Sequence, residues 1–221
     1  MKRFIILFLV VLVYSISLFN TQALADVMPY YTGSISNETI GFLQVPKSFK
    51  LYLYPREDSQ NIENVTWTDT EVKLNKKTIE PAALFAAQVQ AKDLAFCMVV
   101  DMQDDWYQII YDKSGNKTGW IKSTNIDNFW SLKDFYSYYG RKYGLYYMKN
   151  VDYRKRGYYS GADKTSQKLG GFTYIRSIKL SKISGNWALV TVLDMGGQLK
   201  IGYVQWREDD GAISLFPKLS N

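Results

Sequence analysis

Apolar and polar residues alternate along two stretches of the chain, and a turn interrupts each alternation once. The first stretch runs Trp106-Tyr-Gln-Ile-Ile-Tyr-Asp112, then a polar Lys-Ser-Gly-Asn, then Lys117-Thr-Gly-Trp-Ile-Lys122. A period of two in β-branched and aromatic residues on both sides of a Gly-Asn turn predicts a β-hairpin. The pattern returns as Asn186-Trp-Ala-Leu-Val-Thr-Val-Leu-Asp194, a Met-Gly-Gly-Gln turn, and Lys200-Ile-Gly-Tyr-Val-Gln205. In both copies a polar residue precedes Trp, an Asp precedes the turn, and a Gly is followed by an aromatic residue and then Ile or Val. We read this as an internal repeat.

Each hairpin also has a similar opening upstream. Gly41-Phe-Leu-Gln-Val and Leu51-Tyr-Leu-Tyr-Pro-Arg-Glu-Asp-Ser-Gln60 correspond to Gly144-Leu-Tyr-Tyr-Met and Tyr158-Tyr-Ser-Gly-Ala-Asp-Lys-Thr-Ser-Gln167, with the order of pieces preserved. Between the copies, Ser131-Leu-Lys-Asp134 has the form of a capping box. Leu132, Phe135, Tyr136 and Tyr139 follow with the spacing of one helix face, and Gly140 or Gly144 is placed to stop the helix.

The first copy holds an extra stretch at about 73–92. Glu80-Pro81-Ala-Ala-Leu-Phe-Ala-Ala suits a helix start by propensity, while Leu84 to Gln90 suits a strand paired with Leu94–Asp101 across an Ala-Lys-Asp turn. We favour the strand. The predicted organisation is all-β in the main: two tandem small barrels at 26–128 and 144–221, joined by a helical connector at 129–143. No Pro/Gly-rich linker separates them, so they should pack together around the helix.

The N-terminus has a different pattern. Lys2 and Arg3 precede the apolar run Phe4–Val13, and a polar stretch then leads to Ala23-Leu24-Ala25. That order is the charged region, apolar region and small-residue cleavage site of a secretory signal peptide, so residues 1–25 are expected to be removed and the mature chain to be periplasmic or secreted. The competing reading is an uncleaved anchor, since Tyr14–Phe19 extends the run towards the ~20 residues that span a bilayer. No later segment is apolar enough to span, so no stable insertion is expected after cleavage.

Composition narrows the chemistry. The 27 Lys and Arg against 21 Asp and Glu give +6, which falls to about +4 once Lys2 and Arg3 are lost. So mild a charge, without a dense basic stripe, argues against nucleic acid. Cys97 is the only cysteine, which precludes an intramolecular disulfide, and its apolar surroundings suit a buried thiol. The chain has no histidine, which removes the His-dependent nucleophilic arrangements and most zinc sites. The pairs Asp104-Asp105 and Asp209-Asp210 are adjacent residues whose side chains diverge on an extended chain. No catalytic residues, cofactor or metal ligands are expected.

These motifs resemble the Src-homology-3 (SH3) barrel, most closely its bacterial form in exported proteins. Asp104-Asp105-Trp106-Tyr107-Gln108 and Gly119-Trp120-Ile121 are similar to the Asp-Asp-Trp-Trp and Gly-Tyr-Ile strands of that family; the second copy departs more, with Gly185-Asn186-Trp187 and Gly202-Tyr203-Val204. The resemblance implies five-stranded, partly open barrels that bind peptidoglycan, its peptide stems, other peptides or neighbouring domains. It implies ligand contact at Trp106 and Trp187, on the rim of an aromatic groove, with Tyr54 and Tyr159 as the opposite walls. Against this stands cross-strand packing, the commoner use of a hairpin Trp. Trp120 and Tyr203 read as structural, and Arg154-Lys155-Arg156 is the one basic cluster. Two other classes remain: a glycosidase with two carboxylates facing one cleft, and a structural or inhibitory subunit that docks through an apolar patch at the domain junction.

Overall fold

The computed structural model describes residues 34–220 except 76, 124, 126, 127, 150 and 173; the signal peptide expected at 1–25 lies outside the described residues. Two antiparallel sheets account for most of it. The first contains β1 (Gly41–Gln44), β2 (Ser48–Tyr52), β3 (Asn61–Trp67), β4 (Val72–Leu74), β5 (Lys77–Ile79), β6 (Ala87–Val89), β7 (Leu94–Gln103), β8 (Trp106–Asp112), β9 (Lys117–Lys122) and β10 (Phe129–Ser131). The second contains β11 (Leu145–Tyr147), β12 (Gly157–Tyr159), β13 (Lys168–Gly171), β14 (Ile175–Ser184), β15 (Trp187–Asp194), β16 (Leu199–Gln205) and β17 (Leu215–Pro217).

The strand orders are β10-β1-β7-β8-β9-β2-β3-β4-β5, with β6 on β7, and β17-β11-β14-β15-β16-β12-β13. Without β4–β6 these are the same path. The last strand lies on the first, a three-stranded meander follows, and the hairpin that comes after the first strand folds back onto the meander's third strand. Among the described residues neither path closes, so the observed architecture is two open antiparallel sheets.

Both predicted hairpins form, with turns at 113–116 and 195–198. The stretch 73–92 combines the two readings of it. Pro81 opens a single helical turn, α1 (Pro81–Leu84), and Ala87–Val89 then forms a strand on β7, joined by a turn that ends in the left-handed Asp93 (φ +51°). The connector helix starts at Leu132, because Phe129–Ser131 pair with β1 and complete the first sheet. Ser131 Oγ accepts from the Asp134 N–H at 3.1 Å, satisfying one free donor of the first turn. The helix widens to a π-type turn over Tyr136–Gly140 and stops at Gly144, whose φ of +88° suits a residue without Cβ and whose Cβ, if present, would stand 2.6 Å from the Ile178 carbonyl.

One face of the first sheet encloses its own core of Leu43, Leu51, Val65, Cys97, Val99 and Ile109. The opposite faces of β1 and β7 are buried too. Phe42, Phe96 and Met98 join Phe135, Tyr136 and Tyr139 of the helix and Val190, Val204 and Phe216 of the second sheet in one continuous cluster. Burial on both faces explains why Leu94–Val100 is apolar without alternation. Arg207 adds a polar tie between the repeats, its Nη2 donating to the carbonyls of Asn37 (3.1 Å) and Thr39 (3.3 Å).

Candidate functional site: two matching aromatic clefts

Trp106 opens β8, and its neighbours Tyr107 and Ile109 point into the core, so the alternation of the strand puts Trp106 on the outer face. There its ring meets Tyr52 edge-on, centroids 5.4 Å apart and planes at 87°. Trp187 opens β15 in the same way and meets Tyr159 at 5.3 Å and 83°. The register fixes both pairs alike: Tyr52 lies opposite Trp120 and Trp106 opposite Lys122, while Tyr159 lies opposite Tyr203 and Trp187 opposite Gln205. The edge-to-face contact matches the positive rim of one ring to the negative face of the other.

Each tryptophan is 7% exposed and belongs to neither core cluster. Each is therefore covered on the outside of its sheet, and the partner tyrosine, half-buried, carries more of the accessible surface. Tyr54 lies elsewhere. It is in the loop after β2, 54% exposed, with its N–H bonded to Ser59 Oγ at 2.9 Å and the Arg56 guanidinium 5.5 Å from its ring. The residue that matches Tyr159 is thus Tyr52. Both tyrosines stand on the same side of an ideal strand, and only the long-range pairing of Tyr52 with Trp120 distinguishes them.

A cavity of about 400 Å³ lies beside the first pair, lined by Lys50, Tyr52, Lys122 and Asn125 among others. The second repeat has a cavity of about 280 Å³ at the corresponding place, lined by Gly157, Tyr159, Gln205 and Glu208 with Tyr147 and Lys155; in both repeats the tyrosine of the pair lines the cavity and the tryptophan does not. Their electrostatics differ. Lys122 Nζ hydrogen-bonds Glu57, lies 3.5 Å from Asp105 and 5.9 Å from the centre of the Trp106 ring; the Glu57 bond holds its amine above the ordinary lysine range. Neutral Gln205 takes that place in the second repeat. Burial pushes the Tyr147 hydroxyl well up, with the Arg156 guanidinium 5.1 Å from its ring.

No protein-family model matches the chain, and no curated protein matches its sequence. The two clefts are therefore read from their own geometry.

The remaining candidate groups are engaged elsewhere. Asp104 occupies the β7–β8 turn in a left-handed conformation (φ +53°), where the second repeat has Gly185 (φ +56°), and Asp105 faces Lys122. Asp209 pairs with Lys164 at 2.7 Å, and Asp210 accepts from the Ala212 N–H at 3.0 Å. In the basic cluster Arg154 is held by Asp152 at 2.9 Å, Arg156 Nη2 donates to the Val151 carbonyl at 3.2 Å, and Lys155 lines the second cavity. Cys97 is buried, and desolvation raises its thiol far above the ordinary range. Among the described residues no three His, Cys, Asp or Glu side chains gather as a metal site, and no helix is long and apolar enough to cross a membrane.

Proposed function

We propose that this chain is an exported, non-catalytic binding protein of the bacterial envelope, each repeat being an SH3-like barrel module that holds an extended ligand on its outer face. The ligand class is peptidoglycan or its peptide stems, or an extended protein segment. The observation that carries the reading is the recurrence of one Tyr–Trp edge pair, at one register and beside a cavity, in both repeats. Each pair packs on the outer face of its sheet, apart from the two core clusters. The strand order shared by the two sheets supports reading the repeats as two copies of one module.

Shallow clefts walled by a half-buried tyrosine suit flat or extended ligands and modest affinity. Two clefts on one rigid body then gain from simultaneous engagement of a polymer. The apolar side chains of the junction are already buried in the shared core, which favours ligand binding at the clefts over docking at the junction. The glycosidase alternative needs two free carboxylates facing one cleft, and the two that meet beside the first cleft, Glu57 and Asp105, are both held by Lys122.

The test is a calorimetric titration of residues 26–221 with solubilised peptidoglycan fragments and, separately, with free stem peptides. Binding is expected to weaken about tenfold in Tyr52→Ala and in Tyr159→Ala, the loss of one stacking wall. Binding that neither substitution changes would remove the clefts from the account.

A further inference from the structure

The outer faces of the two sheets differ in chemistry at matching positions. Behind Trp106 the cross-strand row runs Asp101, Gln108, Trp120, Tyr52, and Gln108 Nε2 donates to Thr118 Oγ1 at 3.2 Å. The corresponding row of the second sheet runs Lys182, Leu189, Tyr203, Tyr159. An acid has become a lysine, and an amide a leucine. Two further rows extend the face: Lys179, Thr191, Ile201, and then Ser177, Leu193, Leu199.

At the end of these rows four large apolar side chains stand in solvent: Tyr174 is 73% exposed, Met195 and Leu199 69% each, and Ile201 64%. Tyr174 and Met195 line a small cavity with Asp194 and Lys200, while Leu199 and Ile201 stand on the outer face at the same end of the β15–β16 hairpin, so that this end presents an apolar patch. The Met195 N–H donates to the Tyr174 carbonyl at 3.2 Å, and Leu199 sits directly across the hairpin from Leu193. Water-soluble domains rarely gather exposed apolar groups in this way unless something covers them.

The charge around the patch that no ion pair neutralises is basic. Arg176, Lys179 and Lys182 are exposed and make no ion pair with any described residue. The carboxylate at this end, Asp194, is already engaged by Lys200 at 3.2 Å and by the Gln198 N–H at 2.9 Å. A complementary surface must therefore be anionic and must accept apolar side chains. The four residues project from turns and a strand end, and the cavity beside them, about 220 Å³, is too small to seat a helix or a strand. A bilayer interface needs no groove, and takes up Tyr, Met, Leu and Ile at headgroup depth while basic side chains meet the lipid charges.

We propose that this end of the second sheet is a peripheral membrane-binding surface selective for anionic lipid. Tyr174, Met195, Leu199 and Ile201 enter the headgroup boundary, and Arg176, Lys179 and Lys182 contact the headgroup phosphates. The surface continues the outer face of the second sheet, where Lys182 shares a cross-strand row with Tyr159 of the second cleft, and it does not depend on what the clefts bind.

The test uses the chain from Asp26, since the apolar run at 4–13 would hold lipid by itself; residues 34–220 carry both sheets and their shared core. Cosedimentation is measured on vesicles of phosphatidylcholine alone and of phosphatidylcholine with about 30% phosphatidylglycerol. Retention is expected to be roughly tenfold or more greater on the anionic vesicles. It should fall about tenfold in Leu199→Ser/Ile201→Ser, and the lipid preference should disappear in Lys179→Glu/Lys182→Glu, with melting temperatures unchanged because all four side chains are exposed. Equal retention on both vesicles, or retention indifferent to Leu199→Ser/Ile201→Ser, overturns the proposal. Retention on neither vesicle overturns it as well and gives the face to an acidic protein partner.

Discussion

The Tyr136 hydroxyl donates to the Leu215 carbonyl across 2.6 Å, with both residues fully buried. Through this bond the connector helix is fixed to β17, the closing strand of the second sheet. Tyr136→Phe keeps the ring and leaves the carbonyl without its partner, at a cost of about 1–3 kcal/mol. Thermal unfolding followed by circular dichroism should show a fall of roughly 3–10 °C. An unchanged melting temperature would mean that the carbonyl finds another donor.

Phe42 lies in the cluster shared by both sheets, 4.5 Å from the Phe135 ring and 5.6 Å from that of Phe216. Because that cluster is continuous, the two repeats should unfold together in one transition. Phe42→Ala removes about 3–5 kcal/mol and should lower the midpoint by on the order of 10 °C for the whole molecule. Calorimetry that resolves two transitions in the unmodified chain would contradict a shared core.

How much of this was legible in the residues depends on which forces acted locally. The hairpins at 106–122 and 187–205 follow from alternation and turn chemistry, and the helix after Ser131 from a cap and one apolar face; neighbours in sequence determine both. The exterior Tyr–Trp pairs were half legible. Trp106, Trp187 and Tyr159 carry the motif, but Tyr52 and Tyr54 are equivalent by alternation, and the choice is made by pairing with Trp120 far along the chain. Residues 129–131 look like part of the helical connector until the partner strand β1 claims them. The stretch 81–89 has helix and strand propensity together, and the structure uses both in succession.

The Cys97 thiol is surrounded by the first sheet's core, and burial raises it far above its usual ionisation. A disulfide-exchange reagent at pH 8 should react with the folded chain at a rate limited by unfolding, and immediately once denaturant is added. Rapid labelling of the folded chain would show that the thiol is accessible.

Lys113 extends its amine into the end of α1 and donates to the carbonyls of Ala82 and Phe85 at 2.7 Å each, while desolvation lowers it from the ordinary 10.5 to about 8. The unfolded chain then binds the proton more tightly than the folded one. The penalty is complete below pH 8 and is relieved as pH rises to about 10.5, so stability attributable to Lys113 increases across that window, by up to about 3 kcal/mol. The Cys97 thiol opposes it, because the unfolded thiol ionises above about 8.5 while the buried one does not. Denaturant titrations in a Cys97→Ala background should therefore show stability rising from pH 8 to pH 10, and Lys113→Met should abolish the rise. A decline in that background would reverse the sign assigned to Lys113.

The central claim is that both outer-face clefts act together on an extended envelope polymer. Its most direct test is cosedimentation of residues 26–221 with purified insoluble peptidoglycan, alongside Trp106→Ala, Trp187→Ala and the double variant, each checked for an intact fold. The account predicts retention of the parent chain, partial loss in each single variant and a loss in the double variant greater than either, since two weak sites on one rigid body reinforce each other. Retention of the folded double variant at the parent's level, or no retention of the parent, would contradict it.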